Sequence, residues 1–227
     1  MPTWLYMLIP WVALAAGAVA TTIRTPTPAV SSALQHLAAG VVFAAAATEV
    51  LPDLQHQGSV GAIVIGGGLG LITMFAVKKL GRRLSGAWSL VILVAIDIFI
   101  DGIVLGIGFA AGAKQGALLL VALTLEILFL GLTAAEEMYK ALRSRLLVIG
   151  LIAIGGALLP LGALLGGPVH QLPSFFQATA FAFALIALLY LVTEELLVEA
   201  HHKPDSPLIT SMFFVGFLGL LALESAV

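Results

Sequence analysis

Between Asp97 and Phe109 the chain reads DIFIDGIVLGIGF, with two carboxylates set inside an apolar run long enough to cross a bilayer. A charged side chain at bilayer depth costs about 2.5–3.5 kcal/mol on insertion scales, and residues that carry one usually face a bundle interior or an aqueous path. Asp97 and Asp101 are four apart, so a helix presents both on one face. Glu126 lies in the next apolar segment and reaches a similar depth if the two segments pack as an antiparallel hairpin. Three acids at one level make a candidate cation site.

The rest of the chain gives these acids no aqueous surroundings. Of 227 residues, 61% are hydrophobic and 10% charged, with a mean hydropathy of +1.14, which excludes a water-soluble domain of ordinary composition. At roughly 20 residues per crossing the length holds about eight helices and leaves little for a soluble unit, so 1–227 reads as a single transmembrane domain, all-α. The absence of cysteine excludes a disulfide framework, a thiolate metal site and a cysteine nucleophile. Ala18-Val19-Ala20 looks like a signal-cleavage site, but Met1 to Pro10 lacks a basic segment and the run is of spanning length, so it reads as a helix.

Apolar runs separated by turn and charge signals predict helices over 4–23, 33–54, 59–80, 87–112, 115–139, 146–166, 172–200 and 207–226. Asp53 and His56 fall into an expected exterior loop. Positive charge then orients the bundle. Arg24, Lys78, Lys79, Arg82, Arg83, Lys140, Arg143, Arg145 and Lys203 gather on one side of an eight-helix chain, against Lys114 alone on the other. By the positive-inside rule that side is cytoplasmic, with both termini outside, in a plasma or inner membrane.

Two segments look alike: Thr48-Glu49 through His56 ends the second helix, and Thr193-Glu194-Glu195 through His201 and His202 ends the seventh. The two helices run in opposite directions, as in an inverted-topology repeat. Helices one to three would then repeat in six to eight, leaving four and five, which carry Asp97, Asp101 and Glu126, as a central pair. Glycines such as Gly66, Gly70, Gly102 and Gly106 let helices approach closely. Gly102 follows Asp101 directly and gives either a neighbouring backbone or a cation room at the site.

No Lys or Arg lies in the middle of any predicted helix, so an ion pair for the three acids is excluded. Two roles stay open, neutral acids bonded to backbone carbonyls and a cation site that titrates as a unit and gives up protons as a divalent ion binds. Glu49 toward the outer end, and Glu194, Glu195 and His201 toward the inner end, extend an acidic path on either side. Glu136, Glu137, Glu199 and Asp205 read as solvated or paired with Lys140, Arg143 or Lys203.

In these features the chain resembles the ZIP (Zrt/Irt-like) family of divalent metal transporters along essentially its whole length. The fourth-helix family motif, His-Asn-x-Pro-Glu-Gly-x-x-x-Gly, is similar to Asp97-Ile98-Phe99-Ile100-Asp101-Gly102 with Gly106. The second helix, from His36-Leu37-Ala38-Ala39-Gly40 to Leu51-Pro52-Asp53, and the seventh, from Tyr190 to His201, resemble the family's Leu-Pro-Glu helix and its acidic exit helix. The resemblance implies a 3+2+3 bundle of eight helices with inverted repeats and a metal site between the fourth and fifth helices. The chain departs from the family where His, Asn and Pro are replaced by Asp97, Ile98 and Ile100, and where the later fifth-helix ligand position holds Leu130. The segment 146–166 has no ionisable residue for a second metal. Two metal sites shrink to one.

The expected function is a ZIP-like carrier moving divalent cations toward the cytoplasm, with Asp97, Asp101 and Glu126 as ligands. The family implies zinc, while an all-carboxylate set leans to harder ions such as manganese and still holds zinc or ferrous iron. The alternative is a membrane metal or proton sensor, or an assembly subunit, of the same fold without net flux. No Gly-x-x-x-x-Gly-Lys-Ser/Thr loop is present, so primary pumping is not expected, nor is enzymatic activity, an organic cofactor or nucleic-acid binding. The partners expected are the lipid bilayer and the metal ion, and the small-residue faces permit a homodimer without requiring one.

Overall fold

The computed structural model describes residues 3–84, 86–202 and 206–226. Helix makes up 92% of the structure, and no strand forms among the described residues. Among the described residues seven helices are long and apolar enough to cross a membrane, and an eighth, shorter one precedes them. The chain is thus a polytopic, multi-pass helical protein of membrane type. In order the helices are α1 (Leu8–Ile23), α2 (Pro28–Gln55), α3 (Val60–Arg83), α4 (Ala87–Ala111), α5 (Ala113–Leu142), α6 (Arg145–Gln171), α7 (Ser174–His201) and α8 (Pro207–Ala226).

Caps and prolines set the starts. Thr27 accepts from the Val30 amide with Pro28 in the first turn, so α2 begins five residues before the apolar run that predicted it. Ser59 and Ser144 cap α3 and α6 in the same way. At the other end of α2, Asp53 and the backbone of His56 are helical rather than loop, within Leu51–Gln57. Lys203 and Asp205 lie outside the described residues.

Internal prolines account for the larger departures. The expected helix over 4–23 breaks at Met7 into Thr3–Tyr6 and Leu8–Ile23. Pro10 has no amide to give the Tyr6 carbonyl, and its ring would strike that oxygen. In α6, Pro160 likewise deprives Gly156, and the helix opens into a turn at Gly156 and Ala157. There the Ala157 amide turns to Ile154 O at 3.0 Å, leaving the Ala153 carbonyl to accept from Trp11 Nε1 of α1 at 2.8 Å. One helix therefore repairs a break in another.

The principal interfaces pair α1 with α5, α2 with α8, α4 with α6 and α3 with α7, with α4 and α5 packed as an antiparallel hairpin through Gly112. Glycine makes all four pairings backbone-to-backbone; between α3 and α7 a Cβ on Gly66 would strike Thr179 O. A Cβ on Gly102 or Gly106 would strike the Leu159 or Ala163 carbonyl of α6, and one on Gly162 or Gly166 would strike Phe99 O or Ile103 O of α4. Gly17 and Gly131 do the same between α1 and α5, and Gly40 and Gly216 between α2 and α8. In lipid, where apolar helices gain little from leaving one apolar medium for another, such close contact is a main source of association. Gly102 thus admits a neighbouring backbone, that of α6, next to Asp101.

Two π-turns interrupt the long helices, Ala46–Val50 in α2 and Leu191–Leu196 in α7. In α2 the cause is Pro52, which cannot donate to Thr48 O, and Leu51 N bonds back to Ala46 O instead. In α7 the Thr193 hydroxyl takes the Leu189 carbonyl at 2.8 Å, and Leu197 N reaches Val192 O. Both turns carry the Thr-Glu pair that makes the two segments alike.

Candidate metal site

α4 and α5 bring the three acids together. Asp97, Asp101 and Glu126 each place a carboxylate oxygen within 4.8 Å of the others. Asp101 stands ten residues from the end of α4 and Glu126 thirteen from the start of α5, about 15 and 20 Å along their helices, so both sit near mid-depth. Asp101 and Glu126 are buried, 4% and 1% exposed, and their carboxyls lie within hydrogen-bonding reach of one another. Asp101 Oδ2 and Glu126 Oε2 are enclosed with no hydrogen-bond partner. Asp97, one turn nearer the basic end of α4, is only half-buried.

Electrostatics makes this arrangement unstable without a counter-charge. Two carboxylates at 4.8 Å repel by about 3 kcal/mol even at an effective dielectric of about 20. Three such pairs approach the whole stability of an ordinary domain. Among the described residues no Lys, Arg or His forms an ion pair with any of the three. Positive charge must arrive as protons or as a cation.

A cavity of about 580 Å³ leads to the cluster. It runs from the exposed Arg82 and His202 at the basic end, between α3, α4, α5 and α7, down to Asp97. Asp97 is thus the member of the three that meets both the cavity and the buried pair. Glu137, Glu194, Glu195 and Glu199 also line the cavity, against Lys78 and Arg82. Glu195, on the π-turn of α7, is close enough to act electrostatically on Asp97, Asp101 and Glu126.

The remaining expected residues fall elsewhere. Glu194 is half-exposed and forms a 2.7 Å ion pair with Lys78 of α3. Glu136 pairs with Lys140 at 2.7 Å, as expected. Glu49 is buried, 4% exposed, accepts from Thr48 Oγ1 at 2.9 Å, and has Glu224, Lys114 and Asp53 as its charged neighbours. It belongs to the end opposite the cavity, where Lys114 Nζ donates to Glu224 O at 3.0 Å. His201 is not among the residues lining the cavity and stands edge-on to His36 of α2.

No protein-family model matches the chain, and no curated protein matches it.

What the arrangement can do therefore follows from its donors. Carboxylates from two helices, two oxygens of them enclosed and unpartnered, can coordinate a hard or borderline divalent cation. Sequence reading missed two contributors. Lys78 reaches Glu194 only because α3 docks on α7, and His36, in an apolar stretch of α2, is 2% exposed with an unpartnered Nε2. Neither has a local sequence signal.

Proposed function

We propose that this protein is a ZIP-like carrier that moves divalent metal ions, of the zinc, manganese or ferrous class, across a membrane toward the cytoplasm. The observation that carries the reading is the cluster of Asp97, Asp101 and Glu126 at the floor of an acid-lined cavity. An inert set of buried acids needs no such access. A transported ion needs both a site that holds it at mid-depth and a path from one face.

The 3+2+3 inverted repeat is part of the same proposal. One sequence spacing separates Gly17 from Gly162, Pro28 from Pro173, Thr48 from Thr193, Glu49 from Glu194 and His56 from His201. Exchanging α1 with α6, α2 with α7, α3 with α8 and α4 with α5 turns the α1–α5 contact into α6–α4 and the α2–α8 contact into α7–α3. The π-turns of α2 and α7 exchange as well. On this reading the basic end is cytoplasmic, both termini are outside, and the cavity is the inward-facing half of the path. Glu194 and Glu195 line its wall, and Glu49 marks the closed outer half.

Proteoliposome flux tests the proposal. Uptake of zinc, manganese, ferrous and magnesium ions is compared between the natural chain and Asp101→Ala. The expected result is uptake of at least one ion and its loss on substitution. Uptake unchanged in Asp101→Ala would remove the ligand assignment. No uptake of any ion by folded, oriented protein would leave a binding or sensing role.

A further inference from the structure

A second cluster of metal-binding side chains lies outside the carboxylate site. His36 is almost wholly buried on α2, about two turns from the helix start, facing the last turn of α7. Its Nδ1 is 2.9 Å from the Ser32 carbonyl oxygen, which can only accept, so the ring proton sits on Nδ1 and Nε2 carries the lone pair. That Nε2 is enclosed and has no partner. The His201 ring stands beside it, centroid to centroid 5.1 Å in an edge-on arrangement, and its own Nδ1 is 2.6 Å from the Leu197 carbonyl oxygen. Both imidazoles are thus tied through Nδ1–H to the carbonyl one turn back, the tautomer that a metal-ligating Nε2 requires. Ser32 Oγ, donating to Ala200 O at 3.1 Å, clamps the two helices at this point.

We propose that His36 and His201 form a second metal site, of nitrogen donors, for a borderline divalent ion of the zinc, cobalt or copper class. The spacing suits it. With metal–nitrogen bonds of about 2.0–2.1 Å and tetrahedral angles, two imidazole centroids on one ion stand about 5 Å apart. The donor chemistry also separates this site from the acids, since imidazole selects against magnesium and calcium, which the carboxylates accept. An ion held here bridges α2 to α7 at the basic end, beside the mouth of the cavity lined by Glu199 and His202. The site stands independently of whether the carboxylate cluster transports anything.

Cobalt(II) provides the test, because imidazole ligation in a tetrahedral site gives an intense visible band that a carboxylate and water site does not. Purified full-length protein in detergent is titrated with cobalt, then with zinc by calorimetry, alongside His36→Gln, His201→Gln and Asp101→Asn. The expected result is a visible band and one zinc-binding step present in the natural chain and in Asp101→Asn, and lost in both histidine variants. The band is displaced by zinc and not by magnesium. His201 is exposed, so His201→Gln reports on the site even where replacing the buried His36 prevents folding. A natural chain without the band, or a band and zinc step that survive in His201→Gln, overturns the proposal. Loss of the band in Asp101→Asn as well would mean that the histidine site does not stand apart from the central acids, and would overturn the proposal equally.

Discussion

Asp97, Asp101 and Glu126 are separable by what each one touches. Asp97 meets the cavity, whereas Asp101 and Glu126 are enclosed. A charge at the rim of a site acts mainly on the rate of encounter, and a buried one on the rate of escape. Asp97→Asn is therefore expected to slow manganese association and flatten its salt dependence, while Glu126→Gln speeds dissociation by tenfold or more, about 1.4 kcal/mol. Stopped-flow binding at two ionic strengths separates them. Equal effects on both rates from both variants would mean that the three acids do not form an ordered site. Metal-free protein gives an opposite sign, because removing one of three crowded acids relieves repulsion. Glu126→Gln is expected to unfold at higher temperature than the natural chain in chelator, and to lose the upward shift that manganese gives the natural chain. These acids were legible in the sequence because their cost is local, three carboxylates in apolar runs with no base nearby. His36 was not, since a lone histidine in a helix that also carries Ser32 and Gln35 gains its meaning only from His201, far along the chain.

Helix-level features divide along the same line. Spans follow from hydropathy and the starts from Thr27, Ser59 and Ser144, all of which act within a turn. The break in α6 follows from Pro160, yet its repair does not, because the donor is Trp11 on another helix. Removing that donor leaves Ala153 O without a partner, and Trp11→Phe is expected to cost about 1–3 kcal/mol. The glycine seams are more demanding. Gly162 admits the Phe99 carbonyl, so Gly162→Leu must push α6 off α4 and displace the turn that holds Asp101 against Leu159 O through Gly102. Overpacking of this kind costs about 1–3 kcal/mol or more. The variant is expected to lower both thermal stability in detergent and metal affinity, whereas Gly150→Leu, where a Cβ meets nothing, lowers neither. Thermal unfolding with and without manganese measures both. A Gly162→Leu chain as stable as the natural one would mean that α4 and α6 are not held at backbone contact.

At the scale of the whole molecule the two ends differ in a way that composition cannot show. The likeness of Thr48-Glu49 to Thr193-Glu194 makes the halves look equivalent, and both segments do form π-turns. Packing then separates them. The turn in α7 lines a cavity of about 580 Å³, with Glu194 half-exposed and paired to Lys78, while the turn in α2 is closed around Glu49 and the buried Val50. Sequence periodicity is blind to this because it is a difference of state between two like elements, set by how α3 and α8 lean on them. The natural absence of cysteine makes the asymmetry directly measurable. Val198→Cys, in the cavity wall and 42% exposed, is expected to react quickly with a membrane-impermeant thiol reagent applied from the basic face and not from the other. Val50→Cys, 4% exposed in the α2 turn, is expected to react slowly from either side in the resting protein. For a carrier, conditions that drive flux must expose Val50→Cys to the opposite face as Val198→Cys becomes protected, because one ion site cannot be open to both faces at once. A Val198→Cys rate that is fast and unchanged whether or not manganese and a gradient are present would describe a fixed cavity, and the protein would bind metal there without carrying it.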